Sequence, residues 1–560
     1  MQPLDKELRN KLEQTVQQAR TISEEAARAA LEQIGVGEAA PYKHLSPQEK
    51  KVRIKLRAHG RQLGDQRNSE NQLQETDLLA EEVAYQHWHR MLFARFLAEN
   101  DLLIYPDPEM AIPVTLEECA ELATESGEAR NGWELAARFA ARMLPQIFRP
   151  DSPVFQLDLP LEFQYELERL LESLPTEVFT ASDSLGWVYQ FWQSLRKEEI
   201  NASGVKIGAR ELPSVTQLFT EPYMVSFLLD NSLGAWWASR RLTTEDLQTA
   251  ASEDALRSKA AAPDLPLKYL RFVKTEEGLW TPAAGTFDQW PEKLSELKIL
   301  DPCCGSGHFL VAALQMLVPM RKELEGLTTR EAVDAVLRDN LHGLEIDQRC
   351  VEIAAFALAF AAWRYPGTGG YRPLPELNLA CPGLSVSVPK EEWRSLANDN
   401  ARLRLALDLL HQEFSQAPLL GSLINPAKGV AADLVKWDEL NRSLEQALLK
   451  ERSDEEQEAG VAARGLSRAG QLLTRRYHWV ITNVPYLHRS KQGDALREYC
   501  TTHYKTSRTE LATVFLERCL EFCHEGGTVS IVMPQNWLFL VSYKKLRQKL
   551  LRNETWRLIA

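Results

Sequence analysis

The chain has 560 residues, of which 44% are hydrophobic and 26% are charged, and its formal net charge is −13. This length and composition are typical of a soluble protein with more than one domain. The longest apolar run, Ile353 to Trp363, is too short to span a bilayer, and no charged-then-apolar leader opens the chain. We therefore expect a cytoplasmic protein without membrane contact. The negative total excludes nucleic-acid binding through overall charge, so such binding requires a local basic cluster. Eight scattered cysteines without paired Cys-x-x-Cys spacing predict reduced thiols and no metal site.

Residues 1 to about 210 are predicted to form a mostly α-helical domain. Ser23, followed by two glutamates, is typical of a helix start. Ser46-Pro-Gln-Glu49 forms a capping box that opens another helix. That helix carries Lys50, Arg53 and Arg57 among its basic residues, and no acidic residue stands between Glu49 and Asp65. The basic run indicates either a phosphate-facing surface or a solvated helix face.

A strand, a glycine turn and a helix follow one another in Leu297 to Leu317. The apolar strand ends on Asp301, the turn contains Gly305 and Gly307, and an apolar helix begins at Phe309. Such a unit binds a ligand at the carboxyl edge of a parallel sheet. A dinucleotide fingerprint would need a third glycine where Leu310 stands, so the pattern disfavours a pyrophosphate site.

The next two strands are predicted at Leu341 to Ile346 and Glu376 to Ala380. The first ends at Glu345, whose carboxylate can accept ribose hydroxyls, whereas Asp347 is expected to point to the opposite face. After the second comes Cys381-Pro382-Gly383. A charged, helix-patterned insertion then covers about residues 391–473.

The last part of the chain has strand patterns at His478 to Thr482 and Thr528 to Met533, and a sixth strand is predicted from Trp556 to Ala560. The fourth strand is followed by Asn483-Val484-Pro485-Tyr486 and a loop with basic residues. A helix is expected from Leu511 to His524.

Together, Asp-Pro-Cys-Cys-Gly-Ser-Gly at residues 301–307 and Asn483-Val484-Pro485-Tyr486 resemble the motifs of S-adenosylmethionine-dependent DNA adenine-N6 methyltransferases of the gamma arrangement. The large phage-defence methyltransferases of the BREX, phage-growth-limitation and DISARM systems are the most similar in overall pattern. The resemblance covers Gln217 to the end of the chain. It implies S-adenosylmethionine as cofactor, double-stranded DNA as substrate, and other subunits of a defence or restriction-modification system as partners.

The resemblance also implies roles for individual residues. Cofactor binding is expected of Phe219, Thr220, Pro222, Asp301, Pro302, Cys303, Gly305, Gly307, Glu345, Ile346 and Phe515. Catalysis is expected of Asn483, Val484, Pro485 and Tyr486. Stacking on the target base is expected of Tyr486 and Tyr543. For Tyr543 the alternative is a half-buried tyrosine on a helix that does not contact the base. Contact with the DNA backbone is expected of Lys50, Arg53, Arg57, Arg489 and Lys491.

Two positions depart from the pattern of these relatives. Many have an aspartate just after the third strand, where this chain has Cys381-Pro382-Gly383, so the adenine amine of the cofactor loses one side-chain acceptor. Valine replaces the usual first proline of the catalytic motif, which keeps the backbone carbonyl but makes the loop less rigid.

The predicted fold is α/β, with a Rossmann-like methyltransferase sheet preceded by a mostly helical domain. Six strands are visible in the sequence and a seventh is absent. The predicted domains are 1–210 and 211–560, and the target-recognition region that relatives carry would follow the last residue. Two alternative functions remain: a catalytically weak DNA-binding or assembly subunit, and a protein-glutamine N-methyltransferase.

Overall fold

The computed structural model describes residues 4–107, 110–127, 129–145, 152–387, 389–397, 400–429, 434–448 and 453–560. Lys450 to Arg452, which belong to the charged insertion, lie outside the described residues. Among the described residues, no helix combines the length and apolar composition needed to cross a bilayer.

The first part of the chain is mostly helical, as predicted. Its helices are α1 Lys6–Gln33, α2 Pro47–Leu63, α3 Asp77–Ala98, α4 Leu116–Ser126, α5 Gly132–Met143, α6 Leu161–Glu172, α7 Thr176–Thr180, α8 Ser184–Ser203 and α9 Leu212–Thr216. A short antiparallel pair, β1 Ile104–Pro106 and β2 Ala111–Pro113, was not predicted. The capping box at Ser46 is present at the start of α2. The helix start at Ser23 is wrong: Ser23 is buried in the middle of α1, whose apolar stripe continues through it.

A connecting region leads from this part to the main sheet. It contains α10 Pro222–Leu229, α11 Ala235–Arg241, α12 Thr244–Thr249, α13 Glu253–Ala260, and the antiparallel pair β3 Phe272–Lys274 and β4 Trp280–Pro282. Its apolar side chains share a core with the helix that follows the glycine turn.

The main sheet has five parallel strands: β5 Ile299–Asp301, β6 Leu341–Leu344, β7 Asn378–Ala380, β8 Tyr477–Asn483 and β9 Cys523–Val532. Their order in the sheet is β7-β6-β5-β8-β9. The direction of winding therefore reverses between β5 and β8. In open α/β sheets, ligands bind at this reversal, outside the carboxyl ends of the strands.

The helices of this part lie between and after the strands. They are α14 His308–Glu325, α15 Thr329–Asp339, α16 Gln348–Arg364, α17 Lys390–Ser395, α18 Ala401–Glu413, α19 Ala417–Leu420, α20 Trp437–Leu448, α21 Asp454–Thr474, α22 Asp494–His503, α23 Leu511–Phe522 and α24 Lys544–Asn553. The sixth strand predicted from Trp556 is wrong, because residues 555–560 do not pair with the sheet. Instead Trp556 packs on Trp537, and the Arg557 guanidinium donates to the Ala284 carbonyl.

The insertion covers one face of the sheet. Leu300, Leu344 and Val480 belong to the same core as Leu407 of α18 and Leu466 of α21. Their neighbours on the strands, such as Ile299 and Ile481, belong to the core that contains α14. Successive residues of a strand point to opposite faces, so this division makes three layers with the sheet in the middle.

Helix α16 joins the helical front part to the sheet. Phe93 of α3 stacks on Phe356 of α16 with 4.2 Å between ring centroids, and Phe96 meets the edge of Phe360. The Tyr85 hydroxyl donates to the Arg349 carbonyl at 3.0 Å. The front helices and α16 therefore share one hydrophobic core.

Candidate active site

The glycine turn lies between β5 and α14. Gly305 and Gly307 have φ angles of +51° and +80°, a region that side chains with a Cβ rarely adopt. A Cβ on Gly307 would lie 3.1 Å from the Cα of Ala354, so this glycine allows the turn to pack against α16. Gly305 has more space, and its backbone N–H donates to Glu345 Oε2 at 2.9 Å.

Glu345 and Asp347 point in different directions because both lie beyond Leu344, the last residue of β6, where the chain no longer follows the strand period that would put them on one face. The Glu345 carboxylate accepts from the N–H groups of Gly305 and Asp347. Burial raises its pKa to about 7 in spite of these bonds. Asp347 instead accepts from the Arg349 guanidinium at 3.1 Å and from the Tyr189 hydroxyl of α8. Glu345 therefore faces the carboxyl edge of the sheet, and Asp347 holds the front helices.

Asn483 ends β8, beside the strand that carries Asp301. Its amide Nδ2 donates to Thr220 Oγ1 at 3.0 Å, and its Oδ1 accepts from the Tyr486 hydroxyl at 2.6 Å. Both ends of the amide are therefore held by hydrogen bonds. Val484 is buried at 3% exposure, whereas Tyr486 is half-buried.

A cavity of about 70 Å³ joins the glycine turn to this motif. Its wall includes the predicted residues Pro302, Cys303, Gly305, Glu345, Ile346, Phe515, Asn483 and Pro485. The strand ends and α23 thus bring together residues that are far apart in the sequence. The mixture of one buried carboxylate with apolar side chains suits a ligand with both a ribose and an aromatic ring.

Other predicted residues lie outside the cavity wall. The Phe219 ring packs 4.7 Å from Trp187 and 4.6 Å from His308, in a space that a Cβ on Gly186 would fill. Asp301 is fully buried, its Oδ1 accepts from the Cys303 N–H, and burial raises its pKa to about 7. Thr220 contacts Asn483 rather than the cavity, and Pro222 begins α10. Their predicted contact with the cofactor stays a prediction.

Several cavity residues were not predicted from the sequence. They are Leu212, Pro213, Thr216, Gln217, Leu218, Leu419, Leu420, Gly421, Ser422, Leu423, Leu496 and Leu511. Leu511 lies one helical turn before Phe515, so helical spacing could have found it. The run of 419–423 comes from the insertion, and no motif marks it.

Three predicted roles disagree with the structure. Tyr543 is 1% exposed and packs with Trp537 and Leu546, so its ring has no open face for a base. Arg53 and Arg57 are 5% and 7% exposed. Their guanidinium groups donate to backbone carbonyls of Gly35, Val36, Glu38 and Gln72, so these side chains point inward to the chain that follows α1 and to the segment before α3.

The remaining basic residues face solvent to different degrees. Lys491 is exposed, Arg489 and Lys50 are half-buried, and Lys491 and Arg489 follow the Asn483–Tyr486 motif in sequence. The Lys491 carbonyl accepts from the Ile207 N–H at 2.9 Å, which ties the loop to the segment before α9. Contact of these three residues with DNA stays a prediction.

Two models of DNA methyltransferase families match parts of the chain. The family model "Eco57I restriction-modification methylase" matches residues 339–560, and "MmeI, DNA-methyltransferase domain" matches residues 281–367. These two family models and the relatives described next confirm the predicted resemblance to adenine methyltransferases of the BREX and phage-growth-limitation kind.

The curated relatives that are named adenine-specific methyltransferases include BrxX and PglX. The chain is 29% identical over 417 residues to BrxX of Escherichia coli O9:H4 (strain HS), which covers 70% of this chain and 32% of BrxX. It is 25% identical over 521 residues to PglX of Lacticaseibacillus casei (strain Zhang), which covers 86% of this chain and 42% of PglX. The chain thus spans less than half the length of either relative.

A solved structure, the cryo-EM DrdV–DNA complex, gives a TM-score of 0.43 at 12% identity over 98% of this chain and 37% of that chain. A likeness at this level carries no conclusion about function.

Proposed function

We propose that the chain transfers the methyl group of S-adenosylmethionine to the N6 amine of adenine in DNA. The observation that carries this proposal is the position of Asn483, at the end of β8 and in the wall of the same cavity as Gly305 and Glu345. The two relatives named adenine-specific methyltransferases support an adenine amine rather than a glutamine amide as acceptor.

The side chains around the cavity fit the chemistry of this cofactor. Glu345 would accept the ribose hydroxyls, and Ile346 and Phe515 offer apolar contact for the adenine ring. When bound, the cofactor would supply an electrophilic methyl group on a sulfonium. Because burial raises the pKa of Glu345 to about 7, acceptance of two hydroxyl groups would favour its ionised form.

The motif at Asn483 would prepare the target amine. An exocyclic amine is a weak nucleophile because its lone pair is delocalised into the ring. Acceptance of its two hydrogens by Asn483 Oδ1 and the Val484 carbonyl would favour a pyramidal nitrogen. The bond from Asn483 Nδ2 to Thr220 supports this role, because it holds the oxygen of the amide on the opposite side.

Tyr486 would change its partner when a base enters. Its hydroxyl now donates to the oxygen that the amine needs. Extrusion of the base costs a few kcal/mol. Stacking of the Tyr486 ring on the base returns roughly 1 to 3 kcal/mol, and rotation into the stack would release Asn483 Oδ1.

Double-stranded DNA is the proposed substrate. Arg489 and Lys491 would contact phosphates beside the catalytic motif, which predicts binding that weakens with salt. Other subunits of a defence system are proposed as partners, because the chain resembles BrxX and PglX.

The proposal is tested by two measurements on the same preparation. Calorimetry should detect binding of S-adenosylmethionine, and radiolabel should move from the cofactor to adenine-containing duplexes. Asn483→Ala should keep the first and reduce the second by about 100-fold or more, as loss of one positioned hydrogen-bonding group does. Cofactor binding without methyl transfer to DNA would contradict the proposal and favour an assembly subunit. Methyl transfer to a glutamine peptide instead of DNA would favour a protein-glutamine methyltransferase.

A further inference from the structure

The cavity at the carboxyl edge of the sheet has an outer wall that comes from the insertion. Five consecutive residues, Leu419 to Leu423, line it opposite the glycine turn. Leu420 and Leu423 are 6% and 1% exposed, so their side chains face the protein. We call residues 417–424 the wall segment.

Four side-chain contacts hold the wall segment in place. Ser422 Oγ donates to the Pro302 carbonyl of the glycine turn at 2.6 Å. Arg518 of α23 donates to the carbonyls of Ser422 and Ile424 at 3.0 and 2.8 Å. The Tyr499 hydroxyl of α22 donates to the Leu423 carbonyl at 2.9 Å.

Arg518 is the central contact. It is 1% exposed, lies on the same helix as Phe515, and its guanidinium packs 3.8 Å from the centre of the Phe522 ring. A buried guanidinium is costly unless its donors are satisfied. Glu521 Oε2 and the Leu473 carbonyl accept from it at 3.3 and 3.4 Å, and the two shorter bonds go to the carbonyls of the wall segment, so the position of the segment contributes to the burial of Arg518.

The chain after β7 approaches the same residue, Ile346, as the wall segment does. Among the described residues, Cys381 and Gly383 are not part of the cavity wall. A Cβ on Gly383 would lie 2.0 Å from the Ile346 carbonyl oxygen, and one on Gly421 would lie 3.0 Å from the Ile346 side chain. Two glycines therefore let two segments close on Ile346, and the segment from the insertion is the one that reaches the cavity.

The cavity is too small for the proposed cofactor. It holds about 70 Å³, whereas pockets for small-molecule ligands measure about 300–1,000 Å³. The sheet edge and the glycine turn are held by strand pairing and by packing on α16, whereas the wall segment and residues 212–218 enter the cavity wall from outside the sheet.

We propose that the wall segment is a movable lid of the cofactor pocket, held by Arg518, Ser422 and Tyr499, and that it withdraws to admit the cofactor and then packs on it. This inference rests on the proposed function, because it takes the cavity as the site of S-adenosylmethionine. Arg518 acts as a positioning residue through the segment.

Hydrogen exchange gives a test that does not depend on turnover. S-Adenosylhomocysteine should slow exchange of the amides in residues 417–424 by fivefold or more, while amides of α20, in the same insertion, change little. Equal exchange of the wall segment with and without bound ligand would overturn the lid.

Binding kinetics give the second test. The double variant Ser422→Ala, Tyr499→Phe removes two holding contacts and keeps the apolar wall. Its association and dissociation rates with S-adenosylhomocysteine should each rise about 10- to 100-fold, since each of the two hydrogen bonds is worth roughly a three- to tenfold factor. Ser443→Ala is the matched control, because its hydroxyl bonds to the Glu439 carbonyl within α20.

The two proposals fail in different ways. Wild-type protein that binds no S-adenosylhomocysteine contradicts the proposed function and the lid with it. Wild-type binding with unchanged rates in the double variant contradicts the lid alone. A melting temperature within a few degrees of wild type shows that the variant is folded.

Discussion

The change Thr220→Val separates two roles for the segment before α10. The sequence predicts that Thr220 binds the cofactor, whereas in the structure its Oγ1 accepts from Asn483 Nδ2 at 3.0 Å and its side chain is 6% exposed. Valine keeps the shape of threonine but cannot accept this bond. The Asn483 amide then loses the contact that decides which way its oxygen points.

The size of the effect follows from that single bond. A neutral hydrogen bond contributes about 0.5 to 1.5 kcal/mol, so methyl transfer should fall roughly 2- to 12-fold while the affinity for cofactor stays the same. Single-turnover transfer and calorimetry measure the two quantities. The control is Thr249→Val, which removes a hydroxyl bonded to the Glu245 carbonyl in α12. An unchanged transfer rate with weakened cofactor binding would refute the reasoning and return Thr220 to the cofactor.

Three further predictions concern other residues of the site and its surroundings. Tyr486→Phe should keep or slightly improve the binding of DNA with an extrahelical adenine, because Asn483 Oδ1 loses a competing donor. Tyr486→Ala should weaken the binding of this DNA roughly 5- to 150-fold through lost stacking. Equal DNA affinities of the two variants would exclude stacking by Tyr486. Burial raises the folded-state pKa of Glu345 from 4.5 to about 7, so the contribution of this residue to the free energy of unfolding falls as the pH rises between those values. Glu345→Gln should therefore raise the melting temperature, relative to wild type, more at pH 8 than at pH 5. The opposite order of the two differences in melting temperature would contradict the pKa shift. Arg57→Ala should lower the melting temperature and leave the DNA affinity unchanged, because this side chain bonds to backbone carbonyls. Lys491→Ala should weaken DNA binding and reduce the slope of log affinity against log salt concentration by about one, which filter binding at several salt concentrations would measure.

The sequence was sufficient to predict the elements with strong local patterns. The strand that ends at Asp301, the glycine turn and the Asn483–Tyr486 motif combine apolar runs with turn residues, and each is found at the carboxyl edge of the sheet. Strand boundaries differ by one to several residues, because they depend on where a neighbouring strand supplies partners.

Orientation was harder to predict than secondary structure. Arginines on a basic helix can face solvent or bond to carbonyls of a nearby loop, and α2 shows the second arrangement at Arg53 and Arg57. Tyr543 occupies a helix start that fits either stacking or burial, and its burial depends on Trp537. The wall segment could not be found because its residues are ordinary leucines, and their role comes from tertiary contacts.

The core shared through α16 makes the helical front part and the sheet thermodynamically inseparable. Phe356 and Phe360 would lose Phe93 and Phe96 if the chain were cut near residue 210, and the resulting apolar surface would favour aggregation. The two parts should therefore melt in a single cooperative transition. Since α16 follows directly after Glu345, a ligand bound at the glycine turn should also slow the opening of the distant front helices.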